Sequence, residues 1–138
     1  MQTDKKRILF ICTHNSARSQ MAEGLINAFH SDRYEAFSAG TEPSSVNPYV
    51  FKAMNKIGID LSQHYSKSID EFTGQQFDFV VTVCDNAKET CPYFPGGKEK
   101  IHKSFPDPSA LKGDEETILI ETGKIRDEIK DWLNRTFI

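Results

Sequence analysis

The chain lacks any apolar run approaching the roughly 18 residues that a spanning helix requires. Its polar residues 1–7 are followed by only four apolar ones, residues 8–11. That is too short for a signal peptide, so a cytoplasmic location is expected. A basic excess is missing as well: 17 Lys and Arg stand against 20 Asp and Glu, for a net charge of −3, and the cations form no stripe. Nucleic acid and anionic membrane surfaces are therefore excluded as partners. Cysteine is scarce and odd in number, with Cys12, Cys84 and Cys91 alone among 138 residues. A domain of this length folds without staples, so three thiols point to chemistry rather than to a secreted disulfide framework. Internal repeats and low-complexity tracts are absent, and one domain over residues 1–138 is expected.

What is present alternates between two patterns. Residues 7–12 (Arg-Ile-Leu-Phe-Ile-Cys) and 77–84 (Phe-Asp-Phe-Val-Val-Thr-Val-Cys) are nearly continuous apolar runs, read as strands buried on both faces. Residues 34–39 and 100–105 are weaker strand candidates, each followed by Gly or Pro. Between the strands, Met21, Ala22, Leu25, Ile26 and Phe29 recur at helical spacing, as do Val50, Phe51, Met54 and Ile57 between Pro48 and Gly58. A last helix presents Ile118, Thr122, Ile125, Ile129, Trp132 and Leu133 on one face. The fold class expected is α/β, a single three-layer domain with a four-stranded, mostly parallel sheet and helices on both faces. Residues 41–48 and 92–98, the latter around Pro95-Gly96-Gly97, read as loops.

Ligands of an open parallel sheet bind beyond the carboxyl ends of its strands. Cys12 and Cys84 end the first and third strands in this reading, and Asp107 lies just past the fourth. The run Cys12-Thr13-His14-Asn15-Ser16-Ala17-Arg18-Ser19 passes from strand end to helix start as Cys-x5-Arg-Ser. A tight loop entering a helix N-terminus offers successive backbone N–H groups and the helix dipole to a tetrahedral oxyanion. Arg18 can add a bidentate clamp, and the same field favours the thiolate of Cys12. Nucleophile and oxyanion cradle coincide in one loop, residues 13–19.

The motif Cys-Thr-x-Asn-Ser-x-Arg-Ser-Gln-Met-Ala-Glu-Gly, followed by Thr-Val-Cys-Asp-Asn-Ala and Cys-Pro, resembles the thioredoxin-coupled arsenate reductases of the low-molecular-weight tyrosine phosphatase superfamily. The resemblance implies that Cys12 attacks arsenate held by the backbone of residues 13–18 and by Arg18. Ser19 would support the Cys12 thiolate, and Asp107 would protonate the departing oxygen. Cys84 would then attack the sulfur of the Cys12 adduct and release arsenite, and Cys91 would attack Cys84 to leave a disulfide for thioredoxin. Phosphate and sulfate are the competing oxyanions, a monomer is expected, and no cofactor is implied. Were residues 85–90 helical, a rise of about 1.5 Å per residue would hold the Cα atoms of Cys84 and Cys91 roughly 10 Å apart, beyond the reach of a disulfide. An order change over residues 85–97 is therefore expected when that bond forms.

Departures from the family pattern are specific. His14 stands where glycine is frequent, and Ala17 where a cysteine is often found. Some members hold a potassium ion with residues matching Asn15, Glu23 and Ser38 and with a later Thr and Asp. Here those two positions are Tyr65 and Lys67, so no metal is expected, and the Lys67 ammonium is expected to take the ion's place. Two alternatives remain open on the residues alone. A tyrosine phosphatase would share Cys12, Arg18 and Asp107 but leaves Cys84 and Cys91 without work. A non-catalytic thiol or arsenite sensor uses the three thiols and leaves Arg18 and Asp107 idle.

Overall fold

The computed structural model describes residues 5–84 and 94–137. Strands β1 (Lys6–Cys12), β2 (Tyr34–Gly40), β3 (Phe77–Thr82) and β4 (Gly97–His102) form one sheet in the order β2-β1-β3-β4. Every pairing is parallel, with β1 central and in register from Lys6↔Tyr34 to Cys12↔Gly40. Because all four strands point the same way, their carboxyl ends share one edge.

The two faces of β1 are buried by different partners, which explains its unbroken apolar run. Ile8, Phe10 and Cys12 meet α1 (Arg18–Phe29), α2 (Pro48–Asn55) and α3 (Glu115–Thr136). Leu9 and Ile11 meet Phe72, Phe77, Val80 and Phe94, a cluster covered by the short 3-10 turn Ile69–Phe72. Helical segments thus cover both faces, one layer thick and one thin. No described helix is long and apolar enough to cross a membrane.

Two expected strands shift. β3 stops at Thr82, two residues before Cys84, and β4 runs over Gly97–His102 instead of residues 100–105. β4 is a polar edge strand, Gly-Lys-Glu-Lys-Ile-His, whose charges face solvent while its backbone pairs with β3. Its first residue must be small: a Cβ on Gly97 would sit 2.6 Å from the Val80 side chain. Gly97 therefore opens the strand, while Pro95 and Gly96 form the turn that leads into it.

Candidate active site

Cys12 is the last residue of β1, buried, with a free thiol. Residues 13–17 then turn sharply into α1, and Asn15 adopts a left-handed backbone at φ 50°. The end of β2 lies against this loop. A Cβ on Gly40 would approach Thr13 O to 2.5 Å, Asn15 N to 2.8 Å and Cys12 O to 2.9 Å, so only glycine lets the two segments pack. Donors from outside hold the loop's carbonyls: Glu42 N on Thr13 O at 2.9 Å, Ser44 N on His14 O at 3.3 Å, and Asn47 N on Ser16 O at 2.9 Å. Ser66 Oγ donates to Asn15 O at 2.8 Å. These bonds commit the loop's carbonyls to the segments around it, the arrangement in which a tight turn can present N–H groups to an anion.

The thiol stands on a chain of polar side chains. Cys12 Sγ is 2.9 Å from Ser19 Oγ, and Asn15 Nδ2 donates to that same hydroxyl at 2.8 Å. The hydroxyl hydrogen is thereby left to face the sulfur, as a thiolate needs. Asn15 Oδ1 accepts from Gln20 Nε2 at 2.9 Å and from Lys67 N at 2.8 Å, and Gln20 Oε1 is 2.9 Å from His64 Nδ1. Gln20 and His64 were not singled out for the site from the sequence. Gln20 carries a signal nonetheless, as a polar residue buried completely on the inward face of α1.

Arg18, the first residue of α1, is 3% exposed. Its Nη1 donates to Phe105 O at 3.3 Å, and its Nη2 lies 3.7 Å from Asp107 Oδ2. The fold thus brings Asp107 to the guanidinium from 89 positions away in the chain. His14 is exposed at the rim, with Nδ1 2.9 Å from Glu42 O. Thr13, Asn15, Ala17 and Ser19 are buried and Ser16 partly so, all within the turn.

Cys84 is fully buried in the cluster that also holds Cys12. Val83 N bonds Ile11 O at 2.9 Å, which continues the β1 and β3 ladder and sets Cys84 level with the loop. Cys84 is disulfide-bonded, whereas Cys12 is not. The two are therefore not joined to each other in this state. The carbonyl of Cys84 accepts from Ser104 Oγ at 3.3 Å, and that hydroxyl is 3.1 Å from Nε2 of His102, whose Nδ1 meets Thr82 Oγ1 at 2.7 Å. Cys91 lies outside the described residues, as do residues 85–93 of the segment 85–97 in which an order change is expected.

Lys67 occupies the place expected of it. Its Nζ donates to Tyr65 O at 3.2 Å and stands 3.6 Å from Glu23 Oε1, which also accepts from the Ser38 hydroxyl. These oxygens already face an ammonium, so the residues present do not fit a potassium ion as well. Among the described residues no group of three or more His, Cys, Asp or Glu side chains is placed to hold a metal. Beside Lys67, hydrogen bonding to the Glu71 carboxylate raises the pKa of the exposed Tyr65 phenol.

Comparisons with known proteins agree on one group. The family described as "Low molecular weight phosphotyrosine protein phosphatase" matches residues 7–136. An arsenate reductase of Halalkalibacterium halodurans is 44% identical over 126 residues, 91% of each chain. Among solved structures, an arsenate reductase in the phosphate binding state superposes with a TM-score of 0.79 at 26% identity, over 94% of this chain and 95% of that one. A thioredoxin-dependent arsenate reductase of Corynebacterium glutamicum gives 0.65 at 25% identity, over 98% of this chain and 63% of that one.

Proposed function

The chain belongs to the low molecular weight phosphotyrosine protein phosphatase family, within its arsenate reductases, and on that premise we propose a three-thiol relay that reduces arsenate to arsenite and is recycled by thioredoxin. Arsenate sits in the loop of residues 13–19, its oxygens on the backbone N–H groups and the Arg18 guanidinium. The Cys12 thiolate attacks arsenic. As the S–As bond forms, an As–O bond breaks, and the departing oxygen takes the proton of Asp107 to leave as water. The Cys84 thiolate then attacks Cys12 Sγ. An S–S bond forms and the S–As bond breaks with its electron pair going to arsenic, which passes from the pentavalent to the trivalent state and leaves as arsenite.

The Cys91 thiolate next attacks Cys84, forming the second disulfide and freeing the Cys12 thiolate. A thioredoxin dithiol finally reduces that bond and is itself oxidised. The observation that carries this reading is the unequal state of the two buried thiols: Cys12 is free on Ser19, beside Arg18, while Cys84 is disulfide-bonded. That is the distribution the relay leaves at the end of a turnover. The solved thioredoxin-dependent neighbour supports the choice of reductant.

A phosphatase reading shares the loop but gives Cys84 nothing to do. It also lacks an aromatic beside Asp107, where Pro108–Ala110 forms a small 3-10 turn. Arsenate-dependent NADPH oxidation, coupled through thioredoxin and its reductase, tests the relay. Cys12→Ser, Cys84→Ser and Cys91→Ser should each abolish steady turnover, and Cys84→Ser should still accept arsenate on Cys12. Sustained turnover by Cys91→Ser with thioredoxin as the one reductant would overturn the sequence of steps. Phosphate and sulfate should compete with arsenate.

A further inference from the structure

Asn47 joins three parts of the molecule through three different groups. Its backbone N–H donates to Ser16 O in the oxyanion loop at 2.9 Å. Its Oδ1 caps α2, accepting from Tyr49 N at 2.8 Å and from Val50 N at 3.4 Å. The cap decides which end of the amide faces outward, and Nδ2 donates to Ser109 Oγ at 3.0 Å. Ser109 in turn donates its own backbone N–H to Asp107 Oδ1 at 2.9 Å. The other oxygen of that carboxyl, Oδ2, lies 3.7 Å from Arg18 Nη2.

The chemistry of a carboxyl acid makes this arrangement directional. An oxygen that accepts from an N–H is the carbonyl oxygen of the protonated form, and the proton rides on the other. With Oδ1 taken by Ser109, the proton of Asp107 is directed to Oδ2, the oxygen on the Arg18 side, where the departing oxygen of a bound oxyanion must lie. The N–H belongs to a short turn in which Pro108 is buried and Ser109 exposed, and the bond from Asn47 to the Ser109 hydroxyl ties that turn to the segment that holds Ser16 O of the oxyanion loop.

We propose that Asn47 and Ser109 are positioning residues for Asp107, fixing both the distance of its loop from the oxyanion site and the oxygen that carries the proton. The inference rests on the reading of Asp107 as general acid. It deepens that reading by naming a residue 60 positions earlier in the chain as part of the acid's support.

The test is a mutant cycle read as kcat/KM for arsenate and, separately, for p-nitrophenyl phosphate, which needs Cys12, Arg18 and Asp107 but neither later cysteine. Asn47→Ser keeps a good helix cap and is too short to reach Ser109, and Ser109→Ala removes the acceptor without touching the cap. Each should cost about five-fold, the worth of one ordinary hydrogen bond, at unchanged melting temperature. Their combination should cost no more than either alone, and Ser109→Thr should restore activity to within about two-fold.

Asp107→Asn should cost about a hundred-fold, and adding Ser109→Ala to it should cost nothing further. A purely structural tie would instead slow the Asp107→Asn enzyme as much as the wild type, and that result overturns the inference. So does full activity in both single variants. A wild type that hydrolyses the aryl ester but leaves arsenate untouched refutes the reductase reading while the cycle still decides the role of Asn47. An Asp107→Asn enzyme of undiminished rate removes the acid and the inference with it.

Discussion

The Lys67 ammonium stands 3.6 Å from the Glu23 carboxylate, both side chains largely shielded from water. The Lys67 backbone N–H holds Asn15 Oδ1 at 2.8 Å, so the cation and a support of the oxyanion loop belong to one residue. Replacing potassium by tetramethylammonium in a steady-state assay should leave arsenate turnover unchanged. Lys67→Ala leaves Glu23 with the Ser38 hydroxyl but without a cation and should lower kcat/KM several-fold, with potassium restoring part of the loss. A strong potassium requirement in the wild type would show that the ammonium does not do the ion's work.

Ser19 is the side chain that faces the Cys12 thiol. Its hydroxyl receives Asn15 Nδ2 at 2.8 Å and faces Cys12 Sγ at 2.9 Å, and in the proposed relay it would donate to the attacking sulfur. In the oxidised protein Cys12 is a free thiol while Cys84 is in a disulfide, so alkylation there reports on Cys12. Ser19→Ala should slow the reaction of Cys12 with iodoacetamide at neutral pH by about ten-fold or more, the scale of one hydrogen bond to a charged group. Mass spectrometry of the modified peptide measures it, and an unchanged rate would remove Ser19 from the thiolate's support.

Gly40 and Gly58 separate two reasons for glycine. At Gly40 a methyl group would strike the loop backbone, with Thr13 O at 2.5 Å, and neither partner can yield without opening the oxyanion cradle. At Gly58 nothing lies within 4 Å, and the cost comes from a backbone at φ +84° alone. Gly58→Ala should therefore lower stability by about 1 kcal/mol and keep activity. Gly40→Ala should abolish turnover and also erase the rise in melting temperature that added phosphate gives the wild type. Retained phosphate stabilisation in Gly40→Ala would show that the loop tolerates the displacement.

Local signals carried the parts of the fold that are local. The apolar run of β1 and the Cys-x5-Arg spacing place Cys12 at a strand end and Arg18 in the first turn of α1, where the structure has both. Strand β4 was misplaced because its stability comes from backbone pairing with β3, and its side chains, Lys98, Glu99 and Lys100 among them, carry no apolar pattern. The support of the thiol was legible at Ser19 through the family resemblance, whereas Asn15 was expected only among the oxyanion-binding residues and at the ion site. It was illegible at His64, which meets Gln20 across 44 residues of chain, and at Ser104, which meets the carbonyl of Cys84 across 20. Such contacts are set by how loops fall on the sheet edge, and nothing in the neighbouring residues announces them.

Asp78 interrupts the apolar run of β3 for an electrostatic reason, and this makes stability depend on pH with a definite sign. Its Oδ2 accepts from Arg7 N at 2.8 Å, and its Oδ1 lies 3.5 Å from Lys98 Nζ. The backbone hydrogen bond from Arg7 is the main influence lowering its pKa, assisted by Lys98 and opposed by partial burial. A carboxyl whose folded-state pKa is depressed binds its proton more readily when unfolded. Its contribution is therefore complete above the ordinary aspartate range and is lost as pH falls through the lower, folded-state value. Asp78→Ala should melt a few degrees below the wild type at neutral pH, and the gap should close as both proteins are acidified through that window. Calorimetry across the acid range measures the difference directly. A gap that widens in acid would mean that the protonated side chain, rather than the carboxylate, is what the ends of β1 and β4 hold.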